Sequence, residues 1–153
     1  MPKELNFDYY LAICQEQLIA EADYLREAKY LQAFAGFAQT ETSITVPSVV
    51  ADFTTDEILT MSFEEGCEFD DMGHFSALER EHIPHLLVVW TIREIFEFHL
   101  VQTDPNFANF RYDGRDSQLK LLDFGATVEL PQSVVKTYET LLLHVLENDQ
   151  DGL

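Results

Sequence analysis

Lysine and arginine are scarce in this chain: nine of them stand against twenty-eight aspartates and glutamates, for a net charge of −19 over 153 residues. That shortage argues against recognition of nucleic acid through phosphate contacts, which need clustered cations. It fits a well-solvated acidic surface, a divalent cation or a basic partner. Cysteine is nearly absent. Cys14 and Cys67 are far apart and match no metal spacing, so they read as free thiols of a reducing compartment. No apolar run is long enough to span a bilayer. The longest candidate, Ile83 to Val101, contains His85, Arg93, Glu94, Glu97 and His99 and reads as a core helix. The opening residues MPKELNFDYY lack the apolar core of a signal peptide and the Arg-rich character of a transit peptide.

What is present suits one compact domain with one core. Hydrophobic residues at 46% and charged residues at 24% give a globular balance rather than a disordered one. Leu5 to Ala35 is a long helical pattern without Gly or Pro, open to a break near Ala20 to Asp23, and Gly36 falls where a helix stops. Ser43 to Val50 and Ile58 to Phe63 read as adjacent antiparallel strands, the first late-starting or at an edge because of Pro47. Glu64 to Gly73 reads as an acidic connector. Ser76 to Glu81 starts a helix, and Pro84 suits the first turn of the next, which runs to about Leu100. Asp104-Pro105 breaks that pattern. Phe107 to Tyr112 and Leu119 to Leu122 read as short strands joined by an Asp113-Gly114 turn. Pro131 to Leu146 reads as a final helix, and Glu147 to Leu153 as a frayed acidic tail.

Three polar residues stand out. Asp104 begins a loop after a long helix, Asn109 follows five residues later, and Asp123 comes fourteen residues after that, behind an apolar strand and before Phe124-Gly125. Phosphoryl transfer in kinase-like folds needs this order. One Asp orients or deprotonates the nucleophile, an Asn binds metal, and a second Asp holds the Mg²⁺ that bridges the nucleotide phosphates. The hairpin between Asn109 and Asp123 brings both oxygen ligands to one end of a small sheet, and hard oxygen ligands suit Mg²⁺.

The loop Gln102-Thr103-Asp104-Pro105-Asn106-Phe107-Ala108-Asn109-Phe110 lacks the His-Arg-Asp of ordinary protein kinases. Together with Leu121-Leu122-Asp123-Phe124-Gly125-Ala126-Thr127 it resembles the UbiB/AarF/ADCK atypical kinase family. Upstream, Glu21-Ala22-Asp23-Tyr24-Leu25-Arg26-Glu27-Ala28 resembles that family's Glu-x-Asp motif and helix C. Val46 to Val50, Ile58 to Met61 and Glu65-Gly66 resemble its hinge-proximal strands. The resemblance spans roughly Glu16 to Leu130. It implies an α+β, protein-kinase-like fold with a partial small lobe (helix C and two strands) and the first part of a helical large lobe. Residues 1–66 would be a small-lobe remnant and 67–153 a large-lobe portion of one partial domain, truncated at both ends.

The resemblance also implies roles. Asp104 would be the catalytic-loop Asp and Glu27 the helix-C Glu that pairs with a nucleotide-binding Lys. Asn109 and Asp123 would be metal ligands, and Glu21 and Asp23 the acidic pair beside the cofactor. Family members are linked to ubiquinone biosynthesis and isoprenoid lipid metabolism. They bind ATP with Mg²⁺, and their partners are lipid-biosynthesis enzymes and membrane surfaces. The implied location is cytoplasmic or peripheral to the membrane in a bacterium, and the matrix side in a mitochondrion.

This sequence departs from that pattern. Twenty-six residues precede Glu27, with no Gly and with Lys3 as their lone Lys, so the Lys-x-Gly-Gln motif and Ala-rich nucleotide loop are absent from it. One reading is a truncated or split ATPase that works with a separate small-lobe chain. Others are a pseudokinase-like scaffold, or an unrelated acidic helical protein. A shortened large lobe would leave Leu141, Leu142, Leu143, Val145 and Leu146 on an uncovered apolar surface. His82 and His85 stand three apart but lack a third ligand, and Trp90, Ile95, Phe96 and Phe98 read as core.

Overall fold

A computed structural model of the chain describes residues 10–11, 23–69, 72–104 and 106–147. Helix α1 spans Tyr24–Ala38. It starts where the Asp23 carboxylate accepts the Arg26 N–H at 3.0 Å, as an N-cap does for an otherwise unpaired donor. Ala28, Leu31, Phe34 and Ala38 form its buried face. The helix runs past Gly36, contrary to the stop expected there. Ala38 is buried and the Phe37 ring stacks on Phe98 with centroids 4.0 Å apart, so packing of the last turn outweighs the glycine. A Cβ at position 36 would meet nothing within 4 Å. Gly36→Ala should therefore stabilise the protein by about 0.5–1 kcal/mol in urea unfolding, because Gly costs about that much in a helix interior. An unchanged or lower midpoint would show that this turn is not helical in solution.

The main sheet has four strands: β1 (Ile44–Thr45), β2 (Cys67–Glu68), β4 (Phe110–Asp113) and β5 (Gln118–Leu121), in the order β1-β5-β4-β2. The short edge strand β1 ends before Pro47 and runs parallel to β5. Strands β4 and β5 form the expected hairpin, with Tyr112 opposite Leu119. Its turn takes a left-handed residue at Ser117, φ 55°, rather than at Gly114. The two segments expected as a strand pair meet antiparallel only at Val49 and Met61, where Val50 N donates to Thr60 O at 2.8 Å and Ser62 N to Ser48 O at 2.9 Å.

The acidic connector is not merely a connector. Strand β2 lies inside it, pairing Cys67 with Tyr112 and Glu68 with Arg111. Its carboxylates meet the few cations of the hairpin: Arg111 with Glu68 at 2.9 Å, Arg115 with Glu65 at 3.0 Å and Lys120 with Glu64 at 3.4 Å. Gly66 permits this approach, since a Cβ there would lie 3.0 Å from Arg111 Cβ and 3.2 Å from Tyr112 O. Cys67 is an exposed free thiol, and Cys14 lies outside the described residues.

Helix α2 spans Ala77–Arg93 as one helix, where two were expected. Ser76 and Glu79 form a capping box: Glu79 N donates to Ser76 Oγ at 3.2 Å and Ser76 N to Glu79 Oε2 at 2.7 Å. The cap sets the start upstream of Pro84, which falls inside the helix. Buried Ile83 and Trp90, two turns apart on one face, hold the helix together across it. The helix then widens into a π turn at Glu94–Phe98, closed by His99 at φ 56°. Strand β3 (Leu100–Gln102) follows and pairs antiparallel with β6 (Thr127–Glu129). The expected helix therefore ends earlier, and a strand precedes Asp104. Helix α3, Gln132–Leu146, begins after Pro131. Val135 is its buried anchor, while Leu141, Leu142, Leu143, Val145 and Leu146 are exposed as expected. The core gathers on one side of the sheet around Leu31, Phe34, Trp90, Tyr112, Leu119 and Phe124.

Candidate active site

Asp104, Asn109 and Asp123 come together where the β3 end, the following loop and the β5 end converge. The loop is shaped by its own side chains. Asp104 Oδ1 accepts the Asn106 N–H at 3.1 Å, and Asn106 Oδ1 accepts the Ala108 N–H at 3.1 Å. A turn at Phe107–Asn109 then delivers Asn109 into a buried position at the start of β4. Its Nδ2 donates to Asp104 Oδ2 at 2.8 Å, which leaves Oδ1 as the amide's acceptor for a cation. The Leu122 N–H donates to Asn109 O at 2.9 Å, tying the residue before Asp123 to Asn109. Thr103 N and Oγ1 both donate to Ala126 O, at 3.2 and 2.7 Å, so the loops carrying Asp104 and Asp123 are clamped to each other.

Asp123 opens a tight turn in which its Oδ1 accepts the Gly125 N–H at 2.9 Å. Phe124 points inward and is fully buried, its ring stacked on Phe34 of α1 at 4.6 Å between centroids. That stack brings α1 to the site. A Cβ on Gly125 would lie 3.4 Å from Asp123 Oδ1 and 3.5 Å from Glu27 Oε2, so both carboxylates line one small space. Burial, and next the charge of Asp123, raise the Glu27 carboxyl above its ordinary range. Tyr24, Glu27, Thr103, Asp104, Asp123, Gly125 and Ala126 line a cavity of about 480 Å³.

The donor set fits a divalent cation that shares its shell with phosphate oxygens. Among the described residues no three His, Cys, Asp or Glu groups gather to hold a metal by themselves. Mg²⁺ does not need that, because it takes one or two carboxylates and completes its shell from phosphates and water. Asn109 and Asp123 supply hard oxygens, and the crowding of Glu27 against Asp123 is a negative field that a cation relieves.

The other expected positions separate from this cluster. Asp23 caps α1, is exposed, and does not line the cavity; Glu21 lies outside the described residues. Glu27 has Asp123 beside it, and among the described residues it forms no ion pair. A broader groove of about 660 Å³ runs along Leu78, Glu79, Glu81, His82, His85 and Tyr112, away from this chemistry. Sequence reading missed Tyr24, which α1 carries to the site, and Thr103 and Ala126, which line it because β3 pairs with β6. It also missed Glu94, a buried carboxyl whose Oε2 accepts the Gln102 N–H at 3.2 Å. Glu94 stands between the charged Arg93 and Glu97, so the sequence carried no signal that singled it out.

Burial raises the Glu94 carboxyl to about 7 from its ordinary 4.5. Between those values the folded chain keeps a proton that the unfolded chain has released, so this group's contribution to stability falls as pH rises from about 4.5 through about 7. Glu94→Gln should therefore stabilise the protein at pH 8, by up to about 3 kcal/mol, and change it little at pH 4.5. Equal effects at both pH values in thermal melts would contradict this.

The chain matches the ABC1 atypical kinase-like domain over residues 1–153. It is 36% identical to the mitochondrial atypical kinase COQ8 of Saccharomyces cerevisiae, over 99% of this chain and 30% of that protein. It is 33% identical to COQ8 of Schizosaccharomyces pombe, over 99% of this chain and 25% of that protein. The chain thus spans about a quarter to a third of the length of these curated relatives. The solved structure of Rv3197 from Mycobacterium tuberculosis in complex with erythromycin superposes with a TM-score of 0.74 at 23% identity, covering 93% of this chain and 39% of that one, which shows a shared fold.

Proposed function

Because this chain belongs to the ABC1 atypical kinase-like family, we propose that it forms the metal-and-phosphate half of an ATP site. The chemistry would be of the ATPase or kinase type, linked to ubiquinone or isoprenoid lipid biosynthesis. The supporting observation is the joined cluster of Asp104, Asn109 and Asp123, held by the 2.8 Å bond from Asn109 Nδ2 to Asp104 and the 2.9 Å bond from Leu122 N to Asn109 O. In this reading Asn109 and Asp123 hold Mg²⁺, which when bound offsets phosphate charge. Asp104, fixed by two hydrogen bonds, orients the attacking hydroxyl or water and accepts its proton. Glu27 awaits the ammonium of a nucleotide-binding Lys supplied by an N-terminal segment.

Thermal shift with ATP and Mg²⁺ tests this, in the presence and absence of a supplied N-terminal fragment carrying a Lys-x-Gly-Gln motif. Stabilisation that requires both ATP and Mg²⁺ is expected. A folded protein that responds in neither case overturns the reading.

One observation favours a second reading, a catalytically inactive, pseudokinase-like scaffold: Glu27 faces a carboxylate, and no described cation pairs with it. In that case Asp104→Asn and Asp123→Asn variants would complement a deletion as well as the wild type does. Loss of complementation would rule it out.

A further inference from the structure

Glu94 is a buried carboxylate that the proposed chemistry does not use. It stands at the start of the π turn Glu94–Phe98, and only 4% of its surface is exposed. Burying a carboxyl costs several kcal/mol unless it is partnered or protonated. The turn around it is also costly: π turns are rare and cluster at functional sites, and His99 closes this one in the left-handed region at φ 56°. Sequence propensity supplies no reason for this geometry, but the position of the next strand does.

Among the described residues, strand β3 has β6 on one edge alone. An N–H on its other edge needs an acceptor from elsewhere, since an unpaired buried donor is penalised. For Gln102 that acceptor is Glu94 Oε2, at 3.2 Å. Gln102 lies two residues before Asp104, and through β6 it stands opposite Thr127, four residues after Asp123. Glu94 also lines a crevice of about 10 Å³ with Gln102, Asn109, Phe110, Leu121, Asp123 and Phe124. It therefore adjoins Asn109 and Asp123 across that crevice.

We propose that Glu94 is a positioning residue of the candidate site: by holding the Gln102 N–H it fixes the register of β3, and with it the placement of Asp104 against Asn109 and Asp123. This rests on the reading of that cluster as a metal-phosphate site. An acceptor oxygen is what the position requires, so the isosteric amide serves as well as the carboxylate.

Three measurements on the chain test this at a temperature where each variant is folded: hydrogen exchange at the Gln102 amide, the side-chain amide signal of Asn109, and Mg²⁺ affinity by calorimetry with ATP present. Glu94→Ala should lose Gln102 protection, broaden or shift the Asn109 signal, and weaken Mg²⁺ binding about tenfold, the scale of losing an outer support of a metal ligand. Glu94→Gln should keep Gln102 protection at or above the wild-type level and match the wild type in the other two. Wild-type behaviour of a folded Glu94→Ala overturns the proposal. If Glu94→Ala does not fold, Glu94→Gln decides: lost Gln102 protection or an altered Asn109 signal overturns it, and wild-type signals support it. A wild type that ignores Mg²⁺ with ATP present, both with and without the N-terminal fragment, sinks the metal-phosphate reading instead, while exchange and the Asn109 signal still decide the role of Glu94.

Discussion

Asp123→Asn is expected to abolish Mg²⁺-dependent stabilisation by ATP while leaving the unliganded protein at least as stable as the wild type. A ligand at a hundred times its dissociation constant adds about 2.7 kcal/mol, or roughly 5–10 °C in melting temperature for a chain of this size. The variant loses that whole increment, because an amide is a far poorer Mg²⁺ ligand than a carboxylate. The unliganded protein gains, because the charge that crowds Glu27 is gone while Asn Oδ1 still accepts the Gly125 N–H. A purely structural role for Asp123 predicts the reverse: a less stable variant with its ligand response intact. Melting curves with and without Mg²⁺ and ATP separate the two.

Phe34→Ala should be the most damaging single change in the described core. The Phe34 ring is fully buried, stacks on Phe124 at 4.6 Å, meets Phe37 edge-on at 5.9 Å and lies 6.4 Å from Trp90. Truncating a buried Phe costs about 3–5 kcal/mol in lost transfer energy and cavity. Whole domains hold about 5–15 kcal/mol, so the variant should unfold by 10 °C or more below the wild type, or fail to fold. Phe34→Leu keeps most of the volume and should cost less than half as much. Equal losses in urea midpoints for the two variants would mean that the ring stack, and not the filled volume, carries the energy.

The cluster of Asp104, Asn109 and Asp123 was more legible in the sequence than the strands that position it. Asp104, Asn109 and Asp123 were found from spacing alone, because a loop, a hairpin and a strand end are local features. Helices α1 and α3 and the β4–β5 hairpin were legible for the same reason. Strands β2 and β3 were not, being two and three residues long, too short for any periodicity to show. Strand β2 is exposed on both faces and exists because its backbone pairs with β4, its Glu68 meets Arg111, and Glu65 just before it meets Arg115. Strand β3 depends on a partner at Thr127–Glu129 and on a π turn that no propensity marks. Pro84 suggested a helix start because the rule for proline is local. A capping box eight residues earlier, together with Ile83 and Trp90 on one buried face, overrode it.

The stack of Phe124 on Phe34 bears on how the site is lost as well as how it is built. The residue next to Asp123 is anchored in the same aromatic cluster that closes α1 onto the rest of the chain. Local opening of that turn must expose Phe124, and so draws on most of the free energy of global unfolding. The Asp104–Asn109–Asp123 cluster and the core then form a single cooperative unit. Heat or denaturant should remove both in one step, so that loss of the site and loss of the fold coincide.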